Sequence, residues 1–273
     1  MPSLTEKRLH SWEEFSRFIS SRKGEWIYRG QTNDWDLSTS LERAIDAWDV
    51  NPSYAPKIEH HLIREFQRRY RGDAERHVNN DTLYCLGVMQ HHGAPTRLLD
   101  WTYSPFVAAK FAIEKGRKKR SPVIWCINNA WCDKAARKIK TALNKRSDDK
   151  RRTDETFWSA YLEPKSRKKF VHPANPFFLN ERLTIQQGVF LCPGDITVSF
   201  LDNLKSMNGW KLASNVVKLH LEMDKQKMRE FADFVKKMNI SSAALFPGLD
   251  GVARSLGEHI FFYEDFVKRK VGE

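Results

Sequence analysis

No apolar run in the 273-residue chain approaches the roughly 18 residues that a membrane-crossing helix needs, so no membrane span is predicted. The opening residues, Met1-Pro-Ser-Leu-Thr-Glu-Lys7, lack the apolar stretch of a secretory signal, and the protein is expected to be cytoplasmic. Cysteine is scarce: Cys85, Cys126, Cys132 and Cys192 are the four, and none makes a Cys-x-x-Cys pair or another zinc-like spacing. Free buried thiols are expected, and no metal. There is no internal repeat and no Pro- or Ser-rich linker. Walker A, Gly-x-Gly-x-x-Gly, Gly-x-Ser-x-Gly and His-Glu-x-x-His patterns are all absent. Phosphate-loop, dinucleotide-fingerprint, serine-hydrolase and zinc-protease chemistry therefore have no support.

What the chain does have is apolar content of 41%, enough for a sizeable core, and a net charge of +12. That charge is unevenly placed. Residues 115–170 carry 18 Lys/Arg against 6 Asp/Glu, which accounts for the whole excess. Its runs include Lys118-Lys119-Arg120, Arg151-Arg152 and Lys168-Lys169. Such a segment can attract nucleic acid or an acidic protein surface through long-range field and counterion release, or serve only as a solvated insertion. We read residues 1–273 as one domain with this basic insertion inside it. Oligomeric state is not legible.

Periodicity and capping residues predict helices over 10–22, 55–71, 81–90, from Pro105 to about Lys115, around 131–143 and over 225–238. A short helix is expected within 38–48. Strands are predicted at 26–30, 122–127, 183–191, 216–222 and 242–246, with a turn at 247–251 and a last helix after it. Helices gather early and strands late. The expected class is α+β, with an N-terminal helical cluster and a small central, mostly antiparallel sheet.

Three stretches carry chemistry. In Tyr28-Arg29-Gly30-Gln31, an arginine at a strand end can fork onto a phosphate or carboxylate, or hold structure; the glycine would let a ligand approach the backbone. Gln90-His91-His92-Gly-Ala-Pro-Thr-Arg97-Leu-Leu-Asp100-Trp101 is dense in functional groups. It reads either as a scaffold loop with an Arg97–Asp100 pair or as a pocket loop. In Arg182-Leu-Thr184-Ile-Gln-Gln187-Gly188-Val-Phe190, strand alternation would place Thr184 and Gly188 on one face and Gln187 on the other, with Gly188 leaving room for something flat. Pro247 to Arg254 adds Asp250, as a cap or as an edge residue of the same site.

On these stretches the chain resembles the FRG domain family, named for a Phe-Arg-Gly motif that reads Tyr28-Arg29-Gly30 here. The resemblance runs over residues 24–256, interrupted by the basic insertion. Its most distinctive part is His92-Gly-Ala-Pro-Thr-Arg97-Leu-Leu-Asp100-Trp101, followed by Ser104-Pro105. The family resemblance implies a bacterial or phage-associated protein, in some members one of toxin or defence setting. More loosely, a strand ending in Tyr-Arg-Gly resembles the first motif of ADP-ribosyltransferases of the Arg-Ser-Glu type. That likeness implies an ADP-ribosyltransferase-like fold and NAD as substrate. Arg29 would anchor NAD, with Tyr28, Gly30, Gln31, His92, Arg97, Asp100, Thr184 and Gln187 around it. Asp250 and Glu258 are the late acidic candidates for catalysis, and neither sits in a Gln-x-Glu pattern.

Three functions follow as expectations. The first is an NAD-consuming ADP-ribosyltransferase or glycohydrolase acting as a toxin or phage-defence effector. The second is a nucleotide- or nucleic-acid-binding module without catalysis. The third is a nuclease using His91 or His92 with Asp100 as acid and base.

Overall fold

Strands β2 (Trp26–Gln31) and β4 (Val123–Asn128) are the runs that the apolar pattern marks most clearly, and they pair antiparallel with Tyr28 opposite Cys126 and Arg29 opposite Trp125. The structure is a computed structural model that describes residues 4–114, 121–140, 157–162, 167–176 and 181–271. Among these, one seven-stranded sheet is formed with β1 (Thr5–Leu9), β3 (Leu99–Thr102), β5 (Val171–Ala174), β6 (Gly188–Pro193) and β7 (Val216–Leu221). The order is β1-β7-β4-β2-β3-β6-β5, and every neighbouring pair is antiparallel except β1 and β7. The α+β class with a mostly antiparallel sheet is therefore as expected.

Helices cover both faces. On one, α1 (Trp12–Ser20), α6 (Pro105–Ile113) and α10 (Lys225–Lys237) pack against Tyr28, Ile124, Cys126 and Leu219. Phe15 of α1 meets Phe231 of α10 edge-on at 5.2 Å between ring centroids. On the other face, α3 (Ala55–Arg69), α5 (Thr82–His91) and α7 (Asn129–Ile139) enclose Ile27, Trp125 and Ile127. Among the described residues the other α-helices are α2 (Ser40–Ala47), α4 (Glu75–Asn80), α8 (Glu181–Ile185), α9 (Phe200–Lys205), α11 (Ser242–Leu245) and α12 (Gly248–Val271).

The caps explain where helices start. Ser11 accepts from the Glu14 amide, but the Glu14 carboxylate accepts from His10 N at 2.8 Å, one residue before the cap. Thr39 and Glu42 make the full reciprocal box on α2. Asp81 and Ser104 cap α5 and α6, with Pro105 in the first turn of the latter. All four cysteines are free and buried, as expected, and burial pushes the Cys85 and Cys192 thiols up to about 12.

Several expectations fail for local reasons. Residues 183–191 are not one strand: α8 ends at Ile185, Gln187 turns through a left-handed φ of 48°, and only then does β6 begin. The chain doubles back so closely that a Cβ on Gly188 would lie 2.4 Å from Leu183 Cδ1. Gly188 is thus filled by its own chain rather than left open for a flat ligand. Residues 242–245 form a helical turn capped by Ser241, not a strand, and the turn expected at 247–251 is the first turn of α12. Strands β1, β3 and β5 were not predicted. β1 is a charged edge strand on which Leu9 alone is fully buried.

Gly30 also differs from expectation. A Cβ there would lie 1.9 Å from the Ala108 carbonyl oxygen and 2.7 Å from Ala112 N, both backbone atoms of α6. The missing Cβ serves strand–helix contact, and the Gly30 backbone also lines the cleft described below. Gly30→Ala should destabilise the fold by about 3 kcal/mol, at the upper end of overpacking costs, because helix backbone cannot step aside. Urea unfolding against wild type measures this, and an unchanged midpoint would contradict it.

Candidate functional site

The strand end carrying Arg29 opens into a cleft of about 750 Å³. One wall is β2 from Tyr28 to Gln31 with the following turn, including Trp35 and Asp36. A second wall is β3, with Asp100, Trp101 and Thr102. Arg43 of α2, Arg182 and Gln186 at α8, and Phe111 and Glu114 at the end of α6 complete it. Three arginines thus face three carboxylates, and the lining is polar but not strongly cationic.

Arg29 is half-buried on the face that carries Ile27 and Gln31, and Gln31 accepts from the Trp125 indole N–H at 3.0 Å. One Arg29 Nη donates to the Asp100 carbonyl at 2.7 Å. Its Nε is buried without a hydrogen-bond partner. Burial pulls the Arg29 pKa down, against the opposing Asp100 charge, and Arg43 adds to the lowering. Tyr28 lies opposite Thr102 in the antiparallel β2–β3 pair, so the next step along the strands sets Arg29 beside Trp101. Trp101 is 3% exposed, and its indole Nε1 is also buried without a partner. Arg29 and Trp101 are therefore neighbours on adjacent strands lining one cleft, and each carries a buried side-chain N–H without a partner. Each costs about 1–3 kcal/mol to leave unmade.

The segment leading into β3 is fixed by Gln90. Its amide donates to Leu98 O at 3.2 Å and to Asp100 Oδ2 at 3.0 Å, and its oxygen accepts from the Ser40 and Thr96 hydroxyls. Asp100 stays exposed, with its carboxylate oriented by this bond. Arg97 does not pair with Asp100. It is fully buried and forks onto Glu59 of α3 through Nε, at 2.6 Å, and Nη2, while Nη1 donates to Tyr161 O at 3.1 Å. Burial alone would lower the Arg97 pKa; the Glu59 charge and hydrogen bonds outweigh it and raise it. Arg97 is a scaffold residue and lines no part of the cleft.

A small recess adjoins the cleft and shares Asp100, Arg182 and Gln186 with it; Gln90 and His91 form its other side. Burial, together with the His92 and Arg182 charges, lowers the His91 pKa. His92, at the helix end, is exposed and outside both spaces, its ring edge-on to His91 at 4.9 Å. Thr184 lies exposed on α8 and Gln187 exposed in the left-handed turn, so the alternation drawn for a strand does not apply to either; Gln186 takes the place expected of Gln187.

Neither late acid lines the cleft. Glu258 accepts from Ser242 N at 2.9 Å and pairs with the buried Lys110 at 3.0 Å. Burial would raise its pKa, but these two contacts prevail and lower it. Asp250 is exposed in the first turn of α12. Lys118, Lys119, Arg120, Arg151 and Arg152 lie outside the described residues, whereas Lys168 and Lys169 are exposed. No helix among the described residues is long and apolar enough to cross a membrane, and no group of three His, Cys, Asp or Glu is placed to hold a metal ion.

Sequence reasoning missed Trp35, Asp36, Arg43 and Glu114. The string Asn33-Asp34-Trp35-Asp36, a lone tryptophan among turn formers just after the arginine strand, was the available signal.

Compared with family models, residues 24–121 match the FRG domain. That span holds β2, Gln90, β3 and α6, while α8 with Arg182 lies beyond it. No curated protein and no solved structure matches the chain.

Arg97 and Arg29 should separate in mutation. Arg97→Ala leaves Glu59 buried and unpaired, and should cost about 3–5 kcal/mol of stability. Arg29→Ala should cost less, about 1.5–3 kcal/mol, the worth of its one charge-assisted hydrogen bond. Thermal and urea unfolding of the two variants check the contrast, and equal losses would refute it.

Proposed function

We propose that this chain, which carries an FRG domain at residues 24–121, binds a diphosphate-bearing nucleotide of the NAD class in the β2–β3 cleft, with Arg29 as the anion anchor. The observation that carries this reading is the pair of orphan donors, Arg29 Nε and Trp101 Nε1, on adjacent strands of a cleft sized for a nucleotide. Guanidinium donors suit a phosphate oxygen, and their charge-assisted bonds are the strong ones. Arg43 and Arg182 supply further positive charge at the rim.

The reaction this reading favours is loss of nicotinamide. The glycosidic C–N bond breaks, nicotinamide leaves with the bonding pair, and the ribose carbon is met by water or a target nucleophile, which gives up a proton. A carboxylate must then face the positive charge growing on the ribose. Asp100, exposed in the cleft and oriented by Gln90, is the residue we assign to it in place of Asp250 and Glu258. His91, whose environment favours the neutral ring, is close enough to Asp100 to share its recess and can take the proton. The basic stretch 115–170 would draw in an acidic target such as nucleic acid. A second reading, binding without turnover, is favoured by the placement of both late acids outside the cleft.

Nicotinamide release from NAD by the purified protein tests the first reading, in parallel with NAD binding by calorimetry. Wild type should release nicotinamide; Arg29→Ala should lose release and weaken NAD binding at least about tenfold. Asp100→Asn should bind and not release. Binding without release in wild type leaves the second reading. No NAD binding in wild type sinks both.

A further inference from the structure

The turn after β2 holds its backbone tightly and leaves one large ring outside. Asn33 Oδ1 accepts from Ser121 N at 3.0 Å, and Trp35 N donates to Asn33 O at 2.9 Å. Asp34 pairs with Lys218, itself buried, and lies 3.9 Å from His220 Nδ1. Leu37 is sunk in the core. Between these anchors Trp35 is 54% exposed and lines the cleft. An exposed tryptophan is not unusual in itself, and Trp48 is more exposed still. What sets Trp35 apart is that a fixed turn presents it to a concave site containing Arg29, Arg43 and two unpaired donors.

From this we infer that Trp35 is the stacking platform for the aromatic base of the ligand, so that the cleft selects nucleotides over sugar phosphates and bare phosphates. The inference rests on the diphosphate reading above and adds the ligand's second recognition element. Indole offers a wide π-face that any flat heterocycle can cover, and the rigid turn means little freedom is lost when it does so. The phosphate end is held by Arg29 and Trp101 Nε1, and the base end by Trp35. Asp36, next to Trp35 and also lining the cleft, is an acceptor for the hydroxyls of the sugar between them.

Calorimetric titration of the full chain with ADP and with inorganic pyrophosphate tests this, using wild type, Trp35→Ala, Trp35→Phe and Arg29→Ala. Trp35 is exposed, so its variants should fold. Trp35→Ala should weaken ADP about tenfold and leave pyrophosphate within about twofold, while Trp35→Phe keeps most of the ADP affinity. Arg29→Ala should weaken both ligands. If Trp35→Ala binds ADP like wild type, or weakens ADP and pyrophosphate equally, the stacking role is wrong while the anion site stands. If wild type binds neither probe, the diphosphate reading fails and this inference falls with it.

Discussion

The cleft depends on a buried ion pair that never touches it. Arg97 and Glu59 are both withdrawn from water, and each supplies the other's counter-charge in a place where an unpaired charge would cost several kcal/mol. Their pairing locks α3 to the segment that precedes β3, and Tyr161 O closes the remaining side of the guanidinium. Two residues on, β3 begins, and its register against β2 sets Asp100 and Trp101 beside Arg29. Arg97 and Arg29 thus divide the work. Arg97 is bonded through all three of its nitrogens and fixes geometry; Arg29 keeps a buried Nε without a partner.

Much of this frame could be read from residues alone. The helices over 55–69 and 225–237 follow from apolar spacing, and those over 82–91 and 105–113 from apolar runs that Asp81 and Ser104 cap. β4 and β7 follow from short apolar runs. What failed was strand assignment wherever tertiary contact overrides local pattern. The 183–191 stretch alternates like a strand, yet Leu183 covers Gly188 through a helical turn and a reversal at Gln187. β1 carries three consecutive charges and owes its existence to β7, more than 200 residues away.

For the site, the motif residues were legible and their roles only partly so. Arg29, Asp100 and Arg182 come together, although 153 positions separate the first from the last. Arg97 looked equally functional, because its partner Glu59 lies on an amphipathic helix with nothing in its local pattern to mark it. Gly30 looked like a ligand-approach residue, because sequence cannot show that the backbone it approaches is protein. Glu258 was an acid in search of a role, and Lys110 supplies one. The charge balance also differs from the bulk picture. The chain is basic as a whole, but the cleft carries as many carboxylates as guanidiniums. Affinity for a ligand there would come from placement of individual groups more than from net field, so it should be less sensitive to salt than contacts made by the 115–170 stretch.

Gln90 has one more consequence. All four of its hydrogen-bonding positions are taken, by groups on α2, on the 96–98 segment and on β3. Thr96 N also donates to Ser40 Oγ, at 2.9 Å. Three stretches of chain are riveted through one amide, so they can shift only together. The β3 side of the cleft is therefore an anvil rather than a jaw. The opposite rim has no such cross-brace: Arg43 is exposed and its Nη1 donates to Ser38 O at 2.6 Å, within the rim itself, and Trp35 is exposed beside it.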